Sequence, residues 1–272
     1  MRQSGCPIHL WPKGVRDLTC RKNSEYSQPI HNQGSMIFLL TVVTAAGPLR
    51  VLCYGDSLTA GTSPPLDTLH PFSPILERAI GSSTAIVRHL GLPGWTAAAM
   101  LQNVNDDQRG LNSLLKRTSP SLAIILAGTN DLGYNSEPGP ILQALCGLHQ
   151  IAHDLEVPTL AVGIPPSAYQ AQQTEAAELA IAVNRGLRAW CESRGNMVPW
   201  KRAFAGGRVE VTGGGVGPWA TYVEPPITQW RRGDWLWAPD GLHFSPEGYA
   251  KIGEGLAGPV AQRLQSLTSS KA

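Results

Sequence analysis

The chain has 272 residues, 42% of them apolar and 15% charged, enough for a sizeable core within one α/β domain. Its net charge of +2 is scattered, and no basic stripe interleaves with aromatics, which excludes the electrostatic footprint of a nucleic-acid-binding protein. No stretch of the sequence reaches the ~18 apolar residues that a spanning helix requires, so no integral membrane segment is expected.

Residues 1 to about 35 are polar, broken by Pro and Gly, and aperiodic. Residues 1–48 are therefore read as an N-terminal tail, disordered or loosely attached. Within it, residues 37–46 (IFLLTVVTAA) are apolar but short. Counted from Met1, they lie too far in for a signal peptide, and a cytoplasmic protein is expected. Counted from Met36, they form an h-region without a basic n-region, and a secreted protein is expected. From residue 49 a single domain runs to residue 272. Short apolar runs predict strands at Leu49–Tyr54, Ala85–Leu90, Leu122–Ala127 and Thr159–Ile164, with a short fifth at Met197–Trp200. Continuous runs of this length suit strands buried on both faces of a parallel sheet.

Helical spacing appears between the strands. Ile141, Leu145, Leu148, Ala152 and Leu155 step by three or four, and so do Ala176, Leu179, Val183, Leu187 and Trp190. A last helix carries Tyr249, Ile252, Leu256, Val260 and Leu264 on one face. It is opened by Ser245-Pro246, and a kink is expected at Pro259. The alternation predicts an α/β fold, a doubly wound parallel sheet with helices on both faces. Residues 201–236, rich in Gly and Trp, are read as an irregular insertion. Trp219, Trp230 and Trp235 within it, with Trp95, are candidates for an apolar substrate wall.

Four segments carry chemistry: Gly55-Asp56-Ser57-Leu58, Gly91-Leu92-Pro93-Gly94, Gly128-Thr129-Asn130-Asp131 and Asp240-Gly241-Leu242-His243. The first three follow predicted strands, and loops at the carboxyl ends of parallel strands share one edge, where ligands bind. A serine hydroxyl is a weak nucleophile until a base takes its proton. His243 can be that base, and Asp240, three residues earlier, can hold its ring. The backbone N–H groups of Ser57 and Gly94 and the Asn130 amide can face a developing oxyanion. Gly91 is a rival to Gly94 for that role. Asp56 and Asp131 are assigned to holding their loops through side-chain to backbone hydrogen bonds.

In this order the four segments resemble the blocks of the SGNH/GDSL hydrolase family, over roughly residues 49–267. The resemblance implies a flavodoxin-like three-layer αβα fold and hydrolysis of carboxylic esters or thioesters with no metal and no cofactor. It places Ser57 as nucleophile, Asp240 and His243 as acid and base, and Gly94 and Asn130 with Ser57 in the oxyanion hole. The second block departs from the family pattern: Arg88-His89-Leu90-Gly91 lacks the asparagine often seen a few residues before the glycine.

The expected substrate is a small-molecule ester of a small acyl group, acetyl included. The same site could serve a lysophospholipase, a thioesterase or an acyltransferase, and the same fold could be a catalytically idle module that binds carbohydrate or lipid. The oligomeric state is not legible. The remaining motifs are expected to be structural. His149 and His153, one turn apart, lack the glutamate of H-E-x-x-H and are read as a solvated face, as are His70 and His89. Residues 213–217 (GGGVG) have no Gly-Lys-Ser/Thr after them and are read as a flexible loop. The five cysteines, Cys6, Cys20, Cys53, Cys146 and Cys191, are scattered and read as buried or incidental thiols rather than a disulfide framework.

Overall fold

The computed structural model describes residues 47–193 and 219–269. Among the described residues, five strands form one parallel sheet: β1 (Leu49–Gly55), β2 (Ala85–Gly91), β3 (Leu122–Leu126), β4 (Thr159–Val162) and β5 (Ala220–Val223), in the order β2-β1-β3-β4-β5. The first four lie where their apolar runs predict them. Met197–Trp200 falls outside the described residues, and the fifth strand lies at Ala220–Val223, inside the stretch read as irregular. Its signal in the sequence is weak, because only four residues of strand character stand there among glycines, prolines and tryptophans.

The apolar runs are explained by two covered faces. Along β1, Leu52 and Tyr54 point into one core and Val51 and Cys53 into the other, all fully buried. The first core is closed by α3 (Ala97–Gln102), α4 (Leu111–Thr118), α5 (Pro138–His153) and α7 (Thr174–Ser193). The second is closed by α2 (Ser73–Ile80) and α8 (Pro246–Ser269). Two short helices, α1 (Ser57–Ala60) and α6 (Ala168–Gln172), lie in loops at the carboxyl ends of β1 and β4. Each large apolar side chain sealed in these cores contributes ~1.5–3 kcal/mol. This is a three-layer α/β fold, with the change of winding direction between β1 and β3.

The last helix starts as its sequence foretells: the Ser245 hydroxyl accepts the Gly248 N–H at 3.0 Å, and Pro246 is its first residue. The helix runs through Pro259 to Ser269. Cys53, Cys146 and Cys191 are buried.

His149 reverses its sequence reading. It is fully buried, and its Nδ1 lies 2.8 Å from Thr159 Oγ1, which also meets His153 Nε2 at 2.9 Å. His153 stacks on Trp190, with ring centroids 5.9 Å apart. Helical spacing alone had placed the pair on one face; only the start of β4 shows that this face points inward. His89 and His70 also find partners, Ser73 Oγ at 2.6 Å and Thr68 Oγ1 at 3.0 Å.

Burial, and then the nearby His153, lowers the His149 imidazole from 6.5 to about 3. The unfolded ring therefore takes up a proton at a pH where the native ring refuses it. The stability this provides is complete above about pH 6.5 and is lost as pH falls towards about 3. Urea midpoints measured at pH 7 and pH 4.5 are expected to differ more for the wild type than for His149→Gln, which cannot charge.

Candidate active site

The sheet register brings the first three segments together. Gly55 at the end of β1 pairs with Gly91 at the end of β2 and with Leu126 at the end of β3. Three loops therefore leave the carboxyl edge side by side, astride the point where the winding reverses. Two backbone bonds tie them at their roots: Leu92 N–H to Gly55 O at 2.8 Å and Asp56 N–H to Leu126 O at 3.4 Å.

Ser57 is the first residue of α1 and is 6% exposed. Asp56 caps that helix, its Oδ1 accepting the Leu58 N–H at 2.9 Å. In the next loop, Gly94 has φ +78°, a conformation that favours glycine, and a Cβ there would point into open space. Gly91 is glycine for a different reason: a Cβ would meet the Ala60 backbone nitrogen at 2.1 Å. Of the two rivals, Gly91 is thus taken up in packing β2 against α1, while Gly94 is exposed above the strands.

Asn130 opens a 3₁₀ turn, Asn130–Gly133, after β3. Its Nδ2 donates to the Trp95 carbonyl at 2.9 Å, which fixes the amide against the Gly94 loop and leaves a second N–H on the same nitrogen. Asp131 is 1% exposed, and its Oδ2 accepts the N–H of Ala97, the first residue of α3, at 2.8 Å. Both Asp56 and Asp131 thus hold loops, as their sequence context implies.

The fourth segment arrives from the far end of the chain. An antiparallel bridge pairs Trp237 with Phe244, and the Ala238 N–H donates to His243 O at 2.9 Å, so Asp240 and Gly241 sit at the tip of a narrow loop. Asp240 Oδ1 accepts the N–H groups of Leu242 and His243, each at 3.0 Å. Its Oδ2 lies 2.7 Å from His243 Nδ1, and His243 Nε2 lies 2.9 Å from Ser57 Oγ. A continuous polar chain therefore joins three residues from two distant parts of the sequence. Burial raises the Asp240 carboxyl, but the bonds from the His243 ring and from the two backbone N–H groups outweigh it. The net shift is downward, so the carboxylate is the stable form at neutral pH. The His243 side chain is 14% exposed and that of Asp240 34%, leaving the chain open to solvent on one side.

What aims His243 was not singled out in the sequence. Phe244, its neighbour, is fully buried between Trp237 at 4.6 Å and Tyr249 at 5.4 Å between ring centroids, the second contact edge-on. Tyr249 Oη then donates to the Thr62 carbonyl at 2.6 Å, tying α8 to the loop that follows Ser57. The signal was present as an aromatic residue directly after His243 and another five residues on, but an aromatic beside a polar residue has many other readings.

The candidate wall residues separate. Trp95 is half-buried and lines a cleft of about 420 Å³ with Gly94, Ala98, Ala99, Tyr134 and Asn135. Ser57 and His243 are not part of its lining, so it lies beside the polar chain on the Gly94 side. Trp235, 69% exposed, stands on the arm of the loop that carries Asp240. Trp230 packs against Gly241. Trp219 is not brought to the site. Its carbonyl accepts the Thr159 N–H at 2.8 Å at the amino-terminal edge of the sheet, and its ring lies 5.9 Å from His153. Grouping it with the substrate wall is corrected by β5, which starts one residue later and fixes Trp219 at the opposite end of the sheet.

The family model described as GDSL-like Lipase/Acylhydrolase family matches residues 53–251, and the chain belongs to this family, whose members hydrolyse ester bonds. Solved structures share the fold at low identity. A family 3 carbohydrate esterase of Clostridium thermocellum is 19% identical, with 81% of this chain and 98% of that one covered and a TM-score of 0.56. An acetyl esterase holding an acetate ion is 15% identical, with 80% and 98% covered and a TM-score of 0.55. A family 3 carbohydrate esterase of Talaromyces cellulolyticus is 16% identical, with 80% and 98% covered and a TM-score of 0.53. Among curated protein sequences no significant match is found. Among the described residues, no helix is long and apolar enough to cross a membrane.

The clamp on Phe244 has a measurable consequence. Phe244→Ala removes a ring packed against two others and is expected to cost ~3–5 kcal/mol of unfolding free energy. Equilibrium denaturation followed by tryptophan fluorescence reads this directly.

Proposed function

We propose that the protein is a serine esterase in which Ser57 is the nucleophile, His243 the general base and Asp240 the group that orients it. The observation that carries the reading is the unbroken chain from Asp240 Oδ2 to His243 Nδ1 at 2.7 Å and from His243 Nε2 to Ser57 Oγ at 2.9 Å. Asp240 takes the proton-bearing side of the ring, so Nε2 is free to accept the serine proton. The hydroxyl then attacks the ester carbonyl, and its proton passes to Nε2. Negative charge on the carbonyl oxygen is met by the Ser57 and Gly94 N–H groups and by the second N–H of Asn130. The tetrahedral centre collapses as His243 protonates the leaving alcohol. A water molecule, deprotonated in turn by His243, releases the acid and restores Ser57. Asp240 stays ionised throughout and stabilises the imidazolium.

The proposed substrate is a carboxylic ester with a small acyl group. The names of an acetyl esterase and of carbohydrate esterases among the structures of this fold support that class. In this reading one catalytic domain begins at residue 49, and Trp95 and Trp235 are the aromatic side chains that meet substrate.

A fluorophosphonate is expected to label wild-type protein at Ser57 and to leave Ser57→Ala unlabelled, with mass spectrometry locating the adduct. Ser57→Ala is expected to lower kcat on p-nitrophenyl acetate by roughly 10⁴-fold or more. Activity retained by that variant overturns the mechanism. Asp240→Asn presents an amide N–H to Nδ1 and puts the ring proton on the wrong nitrogen, so its kcat is expected to fall ~10²–10⁴-fold with KM little changed. Across p-nitrophenyl esters of rising chain length, kcat/KM is expected to decline beyond about four acyl carbons. A maximum at eight or more carbons refutes the small-acyl assignment.

A further inference from the structure

Asp56 does more than its capping bond requires. It is fully buried, and while Oδ1 caps α1, Oδ2 makes no hydrogen bond of standard geometry. The polar groups it faces are the backbone N–H and hydroxyl of Thr129 on the β3 loop. The titratable groups near it are Asp131 on the same loop and the Tyr249 phenol on α8. Thr129 Oγ1 is also buried without a hydrogen-bond partner. Two buried oxygens, one beside the nucleophile and one beside Asn130, therefore face each other. The Thr129 hydroxyl could donate to an ionised Asp56, but two considerations favour the neutral acid. An ionised carboxylate there loses its hydration, and it would stand near a second carboxyl, that of Asp131. Burial, with Asp131 adding to it, pushes the Asp56 carboxyl up to about 7.

We infer that Asp56 is a positioning residue that works as a neutral acid: Oδ2–H donates to Thr129 Oγ1 and latches the Ser57 loop to the Asn130 loop. When the acid ionises, its proton passes to solvent and the Thr129 hydroxyl turns to donate to the carboxylate, so the link is remade with the proton on the other side. The kinetic consequence rests on the reading of Ser57 and Asn130 proposed above; the protonation state does not.

Asp56→Asn reproduces the neutral pattern, since its carbonyl can accept from Leu58 N–H and its amide can donate to Thr129. Asp56→Ala removes both contacts, and Thr129→Val removes the acceptor alone. The native acid keeps a proton that the unfolded chain releases from about pH 4 upward, so its contribution to stability is full at low pH and is lost as pH rises through about 7. Thermal melts between pH 4 and pH 8.5 are accordingly expected to show the wild-type Tm falling relative to that of Asp56→Asn as pH rises. At pH 6, the kcat of Asp56→Asn is expected within ~3-fold of wild type, and those of Asp56→Ala and Thr129→Val at least ~10-fold below it. Melting curves that stay parallel overturn the neutral acid. An Asp56→Asn variant as slow as Asp56→Ala, or a Thr129→Val variant as fast as wild type, overturns the latch. If wild-type protein fails to react with a fluorophosphonate, the nucleophile assignment falls, while the melts still decide the state of Asp56.

Discussion

Parallel hydrogen bonding sets Gly55 level with Gly91 on one side and with Leu126 on the other, and the site depends on that register. Because the strand ends are level, Ser57, Gly94 and Asn130 begin their loops within reach of one another. A shift of β3 by one residue would turn its alternate side chains to the wrong core and move Asn130 off the edge. The burial of Leu52 and Tyr54 on one face and Val51 and Cys53 on the other therefore does two things: it stabilises the sheet and it sets the register.

His243 reaches this edge by a different device. Its loop contributes no strand to the main sheet. It is held by the Trp237–Phe244 bridge, by Phe244 sealed between two rings, and by Tyr249 bonding back to Thr62. The last of these contacts links the helix after His243 to the loop after Ser57, so the imidazole and the hydroxyl it meets share one support. Asp240 adds local order, since one carboxylate oxygen closes its own turn while the other meets the ring. A single side chain thus shapes the loop and aims the imidazole.

The buried polar residues follow a common logic. Asp56, Asp131 and His149 are all almost inaccessible; Asp131 and His149 each join two segments of chain, and Asp56 caps its own helix. Burial pushes the two carboxyls upward and the imidazole downward, in each case toward the neutral form. Near the Ser57 loop that shift accompanies buried oxygens; near the start of β4 it accompanies a shared threonine hydroxyl.

Much of this was legible in the sequence, and the reason is periodicity. Strands covered on both faces show as unbroken apolar runs, and helices show as three- and four-residue steps, so four strands, three long helices and the sheet type followed directly. The four short segments were legible because their residue types have few uses in combination: a serine after a strand, an Asp–His pair before a helix, a glycine and an asparagine in between. Other features were decided only by tertiary structure. Trp219 and Trp235 look alike in the sequence, yet β5 puts one at the amino-terminal edge of the sheet and leaves the other on the loop of Asp240. His149 looks solvated until β4 closes over it, and Gly91 and Gly94 look equivalent until α1 packs on one of them. Local pattern reports which face of an element is apolar. Which neighbour comes to lie against a given residue is a property of the packed chain, and that contact decided between exposed loop and sheet edge, solvent and burial, open space and packing.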